Sequence, residues 1–294
     1  MHPVLINIPF LNQPIHTYGA FIVMGFLLAL NVSKWQAKKL GLYENDVLDF
    51  GFWALIGGLI GARLVFILVD WQDYLINKPF TEIKSLGISI PSVLALWQGG
   101  LVYWGGFLGG FVACIIFTRA RKLPKLLFLD IMVLGLPLAQ AFGRLGCISS
   151  GCCYGEALKS PDSVGLRFPP GSAAFDTLIN TVPTETKNFM LEHAHTWPLF
   201  PSQLLESLGA LIIFAILVFC SSRKHFHGQL ILMYAVLYSV MRSCLELFRG
   251  DAERGYVIDG LLSTSQFISL CVVIIALIAF GVMKSRSAQR ASST

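Results

Sequence analysis

Residues 50–69 read FGFWALIGGLIGARLVFILV, and Arg63 is the only charged residue among them. A helix needs about 20 such residues to cross the hydrocarbon core of a bilayer. The whole chain of 294 residues is 55% hydrophobic and only 13% charged, whereas about a quarter of the residues in an ordinary soluble domain are charged. The sequence therefore predicts an integral membrane protein.

Similar apolar runs recur from one end of the chain to the other. We predict an all-α polytopic membrane protein with about seven transmembrane helices, at roughly 17–35, 50–69, 99–118, 126–143, 203–220, 229–248 and 264–283. These helices would form a single membrane domain of residues 1–294. The connection 144–202 is too long to be a simple link and is expected to form an outer, periplasmic loop region with a function. The tail, residues 285–294, is expected to be disordered.

The distribution of lysine and arginine predicts the orientation. These residues concentrate in the connections after spans one, three and five and in the C-terminal tail, and they are sparse in the short connections of the opposite side. Because basic loops stay in the cytoplasm, we expect the N-terminus outside and the C-terminus in the cytoplasm. The net charge of +5 is then a topology signal and gives no argument for a nucleic-acid partner.

Three arginines lie in or at the ends of apolar runs: Arg63, Arg144 and Arg242. Ionisable groups at membrane depth are costly and usually face the protein interior or a wet cavity. The planar guanidinium offers a fork of donors that suits phosphate, so three of them favour a buried pocket for a phosphorylated head group. The structural alternative is that Arg242 and Glu246, one helical turn apart, simply neutralise each other.

Three polar clusters lie at the ends of separate spans on the expected outer side. They are GRLGCISSGCCYGE at residues 143–156, PSQLLE at residues 201–206 and YSVMRSCLELFRGD at residues 238–251. Helical spacing places Tyr238, Arg242, Glu246 and Arg249 on one face of span six. We expect the three clusters to converge on one site.

Glycines mark two further features. Gly57 with Gly61, and Gly105 with Gly109, are small-residue pairs that let helices approach closely. The segment at residues 99–106, GGLVYWGG, is expected to be broken or re-entrant because glycine weakens a helix.

The motifs together resemble the bacterial prolipoprotein diacylglyceryl transferase family over nearly the whole chain. The resemblance is carried by HTYG at 16–19, GGLIGAR at 57–63, WQGG at 97–100 with GG at 105–106, Asp130, the cluster from Gly143 to Gly155, PSQ at 201–203 with Glu206, and Arg242 with Glu246. It implies transfer of a diacylglyceryl group from phosphatidylglycerol to the lipobox cysteine of a prolipoprotein, the first step of lipoprotein maturation, with glycerol phosphate leaving. The implied partners are phosphatidylglycerol, the prolipoprotein signal peptide and membrane lipids, in the bacterial plasma (inner) membrane. No cofactor, metal or nucleic acid is expected.

Roles follow from this reaction. Fixed cations stabilise the negative charge that grows on a departing phosphate, and the attacking thiol must lose its proton to a base. No histidine lies within the spans, which leaves carboxylates and a phenol as candidate bases. The expected catalytic residues are Arg144, Arg242, Glu206, Tyr103 and Glu246, the last mainly to orient Arg242. The expected substrate-binding residues are Arg144, Tyr18, Arg63, Gly105, Gly155, Gln203 and Tyr238.

The chain departs from the family pattern at four polar positions. Trp104 and Phe200 stand where the family commonly has histidine, Cys147 where it has asparagine, and Cys152 where it has glutamate. A changed mechanism, a changed substrate or reduced activity is therefore open.

The cysteines at 147, 152 and 153 lie on the expected oxidising side, where disulfides persist. The alternatives are an intraloop disulfide, a reactive thiol and a metal site, the last being the weakest interpretation because no histidine is near in sequence. Two other functions compete with the transferase. One is binding or transport of a phosphorylated lipid by the same arginines. The other is a membrane thiol oxidoreductase that uses these cysteines.

Overall fold

The structure is a computed structural model, which describes residues 4–8, 13–72, 80–83, 88–92, 100, 102–248, 256–258 and 262–292. Its helices are α1 (Thr17–Lys39), α2 (Glu44–Val69), α3 (Tyr103–Ala120), α4 (Lys125–Ser150), α5 (Ala173–Thr181), α6 (Thr184–His193), α7 (Ser202–Ser221), α8 (Gln229–Glu246) and α9 (Thr264–Ser292). Its strands form antiparallel two-stranded hairpins: β1 (Val4–Ile8) with β2 (Gln13–His16), β3 (Phe80–Ile83) with β4 (Ile88–Pro91), and β5 (Tyr256–Ile258) with β6 (Leu262–Ser263).

The chain divides into two compact units. One comprises Lys34–Phe128, and the other comprises Met1–Ser33 together with Leu129–Thr294. In the first unit, α2 and α3 pack through glycines. A Cβ on Gly61 would overlap the carbonyl oxygen of Gly105, and one on Gly109 would overlap that of Gly57. The expected packing role of these pairs is confirmed, because the helix backbones touch directly where side chains are absent.

The second unit is built around α4, α7 and α8. Val133 and Leu134 of α4, Ile213 and Leu217 of α7, and Leu230 of α8 form a buried apolar cluster. α1 approaches α4 closely, since a Cβ on Gly135 would overlap the backbone of Ala29. This packing determines how the ends of α4, α7 and α8 are arranged, and those ends carry the polar residues of interest.

Asp130 anchors the N-terminus of α8. Its carboxylate is fully buried and accepts hydrogen bonds from the backbone N–H groups of Gly228, Leu230 and Ile231 at 2.9–3.2 Å. The Nζ of Lys224 lies 3.0 Å from the same carboxylate. An anion is favoured at a helix N-terminus, where N–H groups lack helical partners. The family aspartate of span four is thus structural in this chain.

The helices agree with the predicted spans in position, and the number of spans is only partly supported. Among the described residues, five helices, α1, α2, α4, α7 and α9, are long and apolar enough to cross a membrane. The apolar part of α3, Gly105–Ala120, is shorter, and α8 carries Arg242, Glu246 and several polar residues that lower its hydropathy. The count of seven spans therefore stays a prediction.

Some boundaries differ from the prediction. α3 begins at Tyr103 and not at residue 99, because Gly100 has a φ of +79° that a helix cannot accept. α9 continues to Ser292, where a disordered tail was expected from residue 285; its alanine, arginine and glutamine residues favour a helix. The short hairpins were not anticipated by an all-α fold class.

Candidate active site

Arg144 lies inside α4, within its last two turns. The predicted end of this span at residue 143 is wrong. Gly146 lies inside this helix at the point where α1 packs against it. A Cβ at this position would lie 3.1 Å from the ring of Tyr18, so the absence of a side chain lets the two helices come close. The helix ends before Gly151, whose φ of +71° is the left-handed conformation that commonly follows a helix C-terminus. Arg144 is therefore held on a regular helix.

The carboxylate of Glu206, in the second turn of α7, contacts guanidinium groups from two other helices. One oxygen pairs with Nε of Arg144 on α4, and the other lies 3.9 Å from Nη1 of Arg242 on α8. The Glu206 side chain is only 5% exposed, so the carboxylate is buried between its partners. The expected convergence of the three polar clusters is confirmed for their described residues.

Glu246 completes a row of alternating charges, the arginine row. Its Oε2 lies 2.5 Å from Nη2 of Arg242, one turn away on α8. The order is Arg144–Glu206–Arg242–Glu246, so every charge has an opposite neighbour, which is what burial of ions requires. Arg144 has a side chain 26% exposed, against 12% for Arg242. An incoming anionic group would therefore meet Arg144 first.

The first turn of α7 fastens the loop that follows α4. Ser202 Oγ donates to the carbonyl oxygen of Cys153 at 3.0 Å, and Gln203 Nε2 donates to that of Cys152 at 2.9 Å. Gln203 is an expected substrate-binding residue, and its side-chain nitrogen Nε2 is thus already engaged in a hydrogen bond to the loop. Its buried Oε1 has no hydrogen-bond partner among the described residues and is the atom left for a ligand.

Gly155 lies where three segments of the chain meet. Its N–H donates to the carbonyl oxygen of Phe200 at 3.2 Å, and the N–H of Glu156 donates to that of Phe248 at 3.4 Å. The rings of Phe200 and Phe248 stack with centroids 5.1 Å apart. A Cβ on Gly155 would lie 2.7 Å from the Phe200 oxygen and 3.0 Å from the Phe248 oxygen. Only glycine fits here, and it holds the loop to the end of α8.

Two tyrosines lie close to Arg144. Tyr18 of α1 and Tyr238 of α8 are each near enough to interact with it electrostatically. The ring of Tyr238 also stacks on Tyr234, with centroids 5.7 Å apart. Phenol hydroxyls can donate hydrogen bonds to an anion, so the structure brings these two expected substrate-binding residues to the same arginine.

Cys147, Cys152 and Cys153 form a cluster beside Arg144. No disulfide joins them in this structure, and their sulfur atoms lie within 4.8 Å of one another. Hydrogen bonding with Cys147 and Cys153, together with burial, raises the pKa of the Cys152 thiol. A protonated thiol is a poor nucleophile, which weakens the case for a reactive cysteine at this position.

Three expected site residues belong to the unit Lys34–Phe128. Arg63 is 5% exposed and donates to the carbonyl oxygens of Gly100 at 3.2 Å and Ser92 at 2.7 Å. Gly105 makes the helix contact described above. Tyr103 begins α3, and its side chain lies outside the described part of the chain, as do Arg249 and residues 97–99. The contacts of Arg63 are structural, and the roles of these three residues in the reaction stay predictions.

Gln140 is a neighbour that the sequence analysis missed. It lies one helical turn before Arg144 on α4, and its buried Oε1 has no hydrogen-bond partner among the described residues. Buried polar atoms are nearly always paired, so this oxygen is suited to a hydroxyl group of a ligand. An amide four residues before an arginine within a span was the available signal.

Comparison with known proteins gives a consistent result. A family model described as prolipoprotein diacylglyceryl transferase matches residues 3–282. The phosphatidylglycerol–prolipoprotein diacylglyceryl transferase of Clostridium tetani is 31% identical over 97% of this chain and 99% of that protein. The protein of the same name from Enterococcus faecalis is 32% identical over 89% of this chain and 86% of its own length.

Proposed function

The chain belongs to the prolipoprotein diacylglyceryl transferase family, and we propose that it moves a diacylglyceryl group from phosphatidylglycerol to the lipobox cysteine of a prolipoprotein. The observation that carries this proposal is the buried row Arg144–Glu206–Arg242–Glu246. It presents two guanidinium groups to one place within a protein whose helices can span a membrane.

The reaction is a displacement at carbon by sulfur. The thiol sulfur of the prolipoprotein forms a bond to the terminal glycerol carbon of the diacylglyceryl group, and the bond from that carbon to the phosphate oxygen breaks. Glycerol phosphate leaves with the electron pair, and the thiol proton passes to a base. Negative charge on the phosphate grows as the bond breaks, so a fixed cation there stabilises the transition state more than the ground state.

Arg144 binds the lipid phosphate in this proposal, because its side chain is the most exposed of the four in the row. Arg242 approaches from a second helix, with Nη2 held by Glu246 and Nη1 at 3.9 Å from Glu206. Glu206 therefore lies between the two guanidinium groups and places that of Arg242 beside that of Arg144. Two forks from different directions would hold the phosphate in a defined orientation.

Glu206 and Glu246 act as positioning residues in this proposal. Both oxygens of Glu206 face guanidinium groups, and Glu246 holds Arg242. A carboxylate that is paired with a guanidinium group orients that group, and its oxygens are badly placed to take a proton from the substrate thiol. Tyr103 is then the base candidate that the sequence analysis leaves.

Hydroxyl groups of the lipid head group require polar partners of their own. The Oε1 atoms of Gln140 and Gln203 have no hydrogen-bond partner in the described part of the chain and are suited to accept hydrogen bonds from them. The phenols of Tyr18 and Tyr238 lie near Arg144 and are suited to donate to the phosphate. Arg63 and Gly105 are kept as further substrate-binding candidates on the family resemblance alone.

The site belongs on the outer side of the bacterial plasma membrane in this proposal. Basic residues that follow spans one, three and five favour the cytoplasm for those connections. The same rule gives an outer N-terminus and a cytoplasmic C-terminus, and the apolar runs give about seven spans. The arginine row would then lie at head-group depth, where the phosphate of a lipid is found.

A direct assay tests the proposed activity. Purified protein, phosphatidylglycerol labelled in its acyl chains and a synthetic lipobox peptide are incubated, and the peptide mass is measured. We expect the peptide to gain one diacylglyceryl group on its cysteine. Arg144→Ala should reduce the rate by about 100- to 1000-fold, as for loss of one preorganised donor to a developing anion.

The matched control is Arg223→Ala. Arg223 is exposed and donates to the carbonyl oxygen of Phe219 within the same turn of helix, so its loss should leave the rate unchanged. Equal activity of wild type and Arg144→Ala would contradict the assigned role. Absence of any peptide adduct with the wild type, under conditions in which a family member is active, would refute the proposed function.

A further inference from the structure

The cysteine cluster is the feature that the proposed transfer reaction does not use. The reaction consumes the thiol of the substrate, and none of Cys147, Cys152 and Cys153 is required to attack the lipid. Their sulfur atoms nevertheless lie within 4.8 Å of one another. Cys147 is buried, and the other two thiols are partly buried.

The backbone holds the three thiols together without a disulfide. Gly151 and Cys153 both adopt positive φ, +71° and +58°. The chain therefore turns directly after α4 and returns toward the last turn of that helix. The N–H of Cys152 donates to the carbonyl oxygen of Cys147 at 3.1 Å. Ser202 and Gln203 hold the carbonyl groups of Cys153 and Cys152. A non-glycine residue with positive φ is uncommon and costs free energy, so the loop is kept in this shape by its surroundings.

We propose that Cys147, Cys152 and Cys153 form a binding site for one thiophilic metal ion of the Zn²⁺ or Cu⁺ class. Metal–sulfur bonds of about 2.3 Å place ligand sulfurs roughly 4 Å apart, so the observed cluster needs only small side-chain movements. Thiolates select these soft ions. No histidine is near in sequence, but one sulfur from the end of α4 and two from the loop that follows it are sufficient ligands, with water in the fourth position of a tetrahedral ion.

The surroundings suit the charge of such a centre. Each thiol loses its proton when it binds the metal, so three thiolates with a divalent ion carry one net negative charge. Arg144 lies near enough to interact electrostatically with Cys147 and Cys153 and would offset that charge. The bound ion would join the end of α4 to the loop that α7 holds, and so would stiffen one wall of the arginine row.

Cadmium is the probe for the first test. The full-length protein in detergent, reduced with a phosphine and freed of metal by a chelator, is titrated with Cd²⁺ while thiolate-to-metal charge-transfer absorption is recorded. We expect saturation at one equivalent and displacement of the signal by Zn²⁺. Replacement of a ligand, as in Cys152→Ser, should weaken binding by more than the roughly 10- to 100-fold that loss of an outer-shell partner costs.

Cys271→Ser is the control, because Cys271 lies on α9, away from the cluster in sequence. It should bind Cd²⁺ like the wild type. Protection of the three thiols from maleimide by Cd²⁺, read by mass spectrometry on the wild type, gives a second measurement that needs no variant to fold. A signal unchanged in the triple serine variant, or no protection in reduced wild type, would overturn the proposal.

The outcome is separable from that of the transferase assay. Metal binding is measured without lipid or peptide, so a protein without transferase activity can still bind Cd²⁺. An active protein that forms a disulfide within this loop in membranes, and binds no Cd²⁺ after reduction, would retain the proposed function and refute the metal site.

Discussion

At the scale of single residues, the site depends on the spacing of charges within a buried row. Arg144 and Arg242 come from different helices, and each would be costly to bury alone. Glu206 lies between them, so the row is neutral before a lipid binds. A bound phosphate must then compete with a carboxylate for the same donors, which makes the geometry of each guanidinium important.

Arg242→Lys should impair the enzyme even though it keeps the charge. An ammonium cannot hold Glu246 and reach a phosphate at once with the planar fork of a guanidinium. Loss of one hydrogen bond to a charged group costs about 1.5–3 kcal/mol, so the transfer rate should fall roughly 10- to 100-fold. The rate is measured with the lipobox peptide, and a lysine variant as fast as the wild type would show that only the charge matters.

Glu206→Gln should both lower activity and destabilise the protein. The amide leaves two buried guanidinium groups without their shared counter-charge, and breaking a buried ion pair costs about 3–5 kcal/mol. Thermal unfolding in detergent reports the stability, with Glu156→Gln as the control because that carboxylate is exposed. The pH profile of the remaining activity separates two roles. Removing a positioning residue leaves the shape of the profile unchanged, whereas loss of the fall in rate at low pH, where a base is protonated, would identify Glu206 as the base.

At the scale of secondary-structure elements, two kinds of contact hold the helices in place. Asp130 of α4 fastens the start of α8 through backbone N–H groups and Lys224. Glycines let α2 and α3 touch backbone to backbone. The first contact holds the N-terminal end of α8, whose opposite end carries Arg242, and the second is confined to the unit Lys34–Phe128.

Asp130→Ala should destabilise the protein by about 3–5 kcal/mol, because Lys224 would be left buried without its partner. Protein that remains folded should keep its affinity for phosphatidylglycerol, since Asp130 does not belong to the arginine row. The double variant Asp130→Ala with Lys224→Met should recover part of the lost stability. Unfolding temperatures of the single and double variants check this, and no recovery would mean that the helix cap matters more than the ion pair.

Gly61→Ala should weaken the packing of α2 on α3. The added methyl group would overlap the carbonyl oxygen of Gly105, and overpacking of this kind costs about 1–3 kcal/mol. Gly58→Ala is a matched control on the same helix, because its Cβ would lie 3.5 Å from the Gly106 oxygen, an ordinary contact. Similar unfolding temperatures for both variants would show that the helices can separate without cost.

At the scale of the whole molecule, the orientation in the membrane is the testable property. The basic tail that ends α9 and the basic connections after spans one, three and five predict a cytoplasmic C-terminus. Green fluorescent protein fused after Thr294 should therefore fluoresce in bacterial cells, and alkaline phosphatase fused at the same point should be inactive. The reverse pattern would invert the topology and place the arginine row on the inner side.

The membrane class, the approximate positions of the helices and the identity of the candidate site residues follow from the sequence alone. These depend on local properties: the length of an apolar run and the cost of an arginine inside it. The order of motifs along the chain was sufficient for the resemblance to the family, which the comparisons bear out. The boundary at residue 99 was wrong because the positive φ of Gly100 excludes a helix there. The boundary at residue 143 was wrong because glycine propensity is a weak guide where another helix packs against the site.

Only the tertiary structure decided which polar groups meet. Glu206 lies between Arg144 and Arg242, and Asp130 caps a helix far along the chain. The three cysteines, for which a disulfide, a reactive thiol and a metal site were open, form a compact cluster that no disulfide joins. Such contacts depend on how helices cross and where a loop turns back. These are properties of packing between distant segments, and no local pattern of residues contains them.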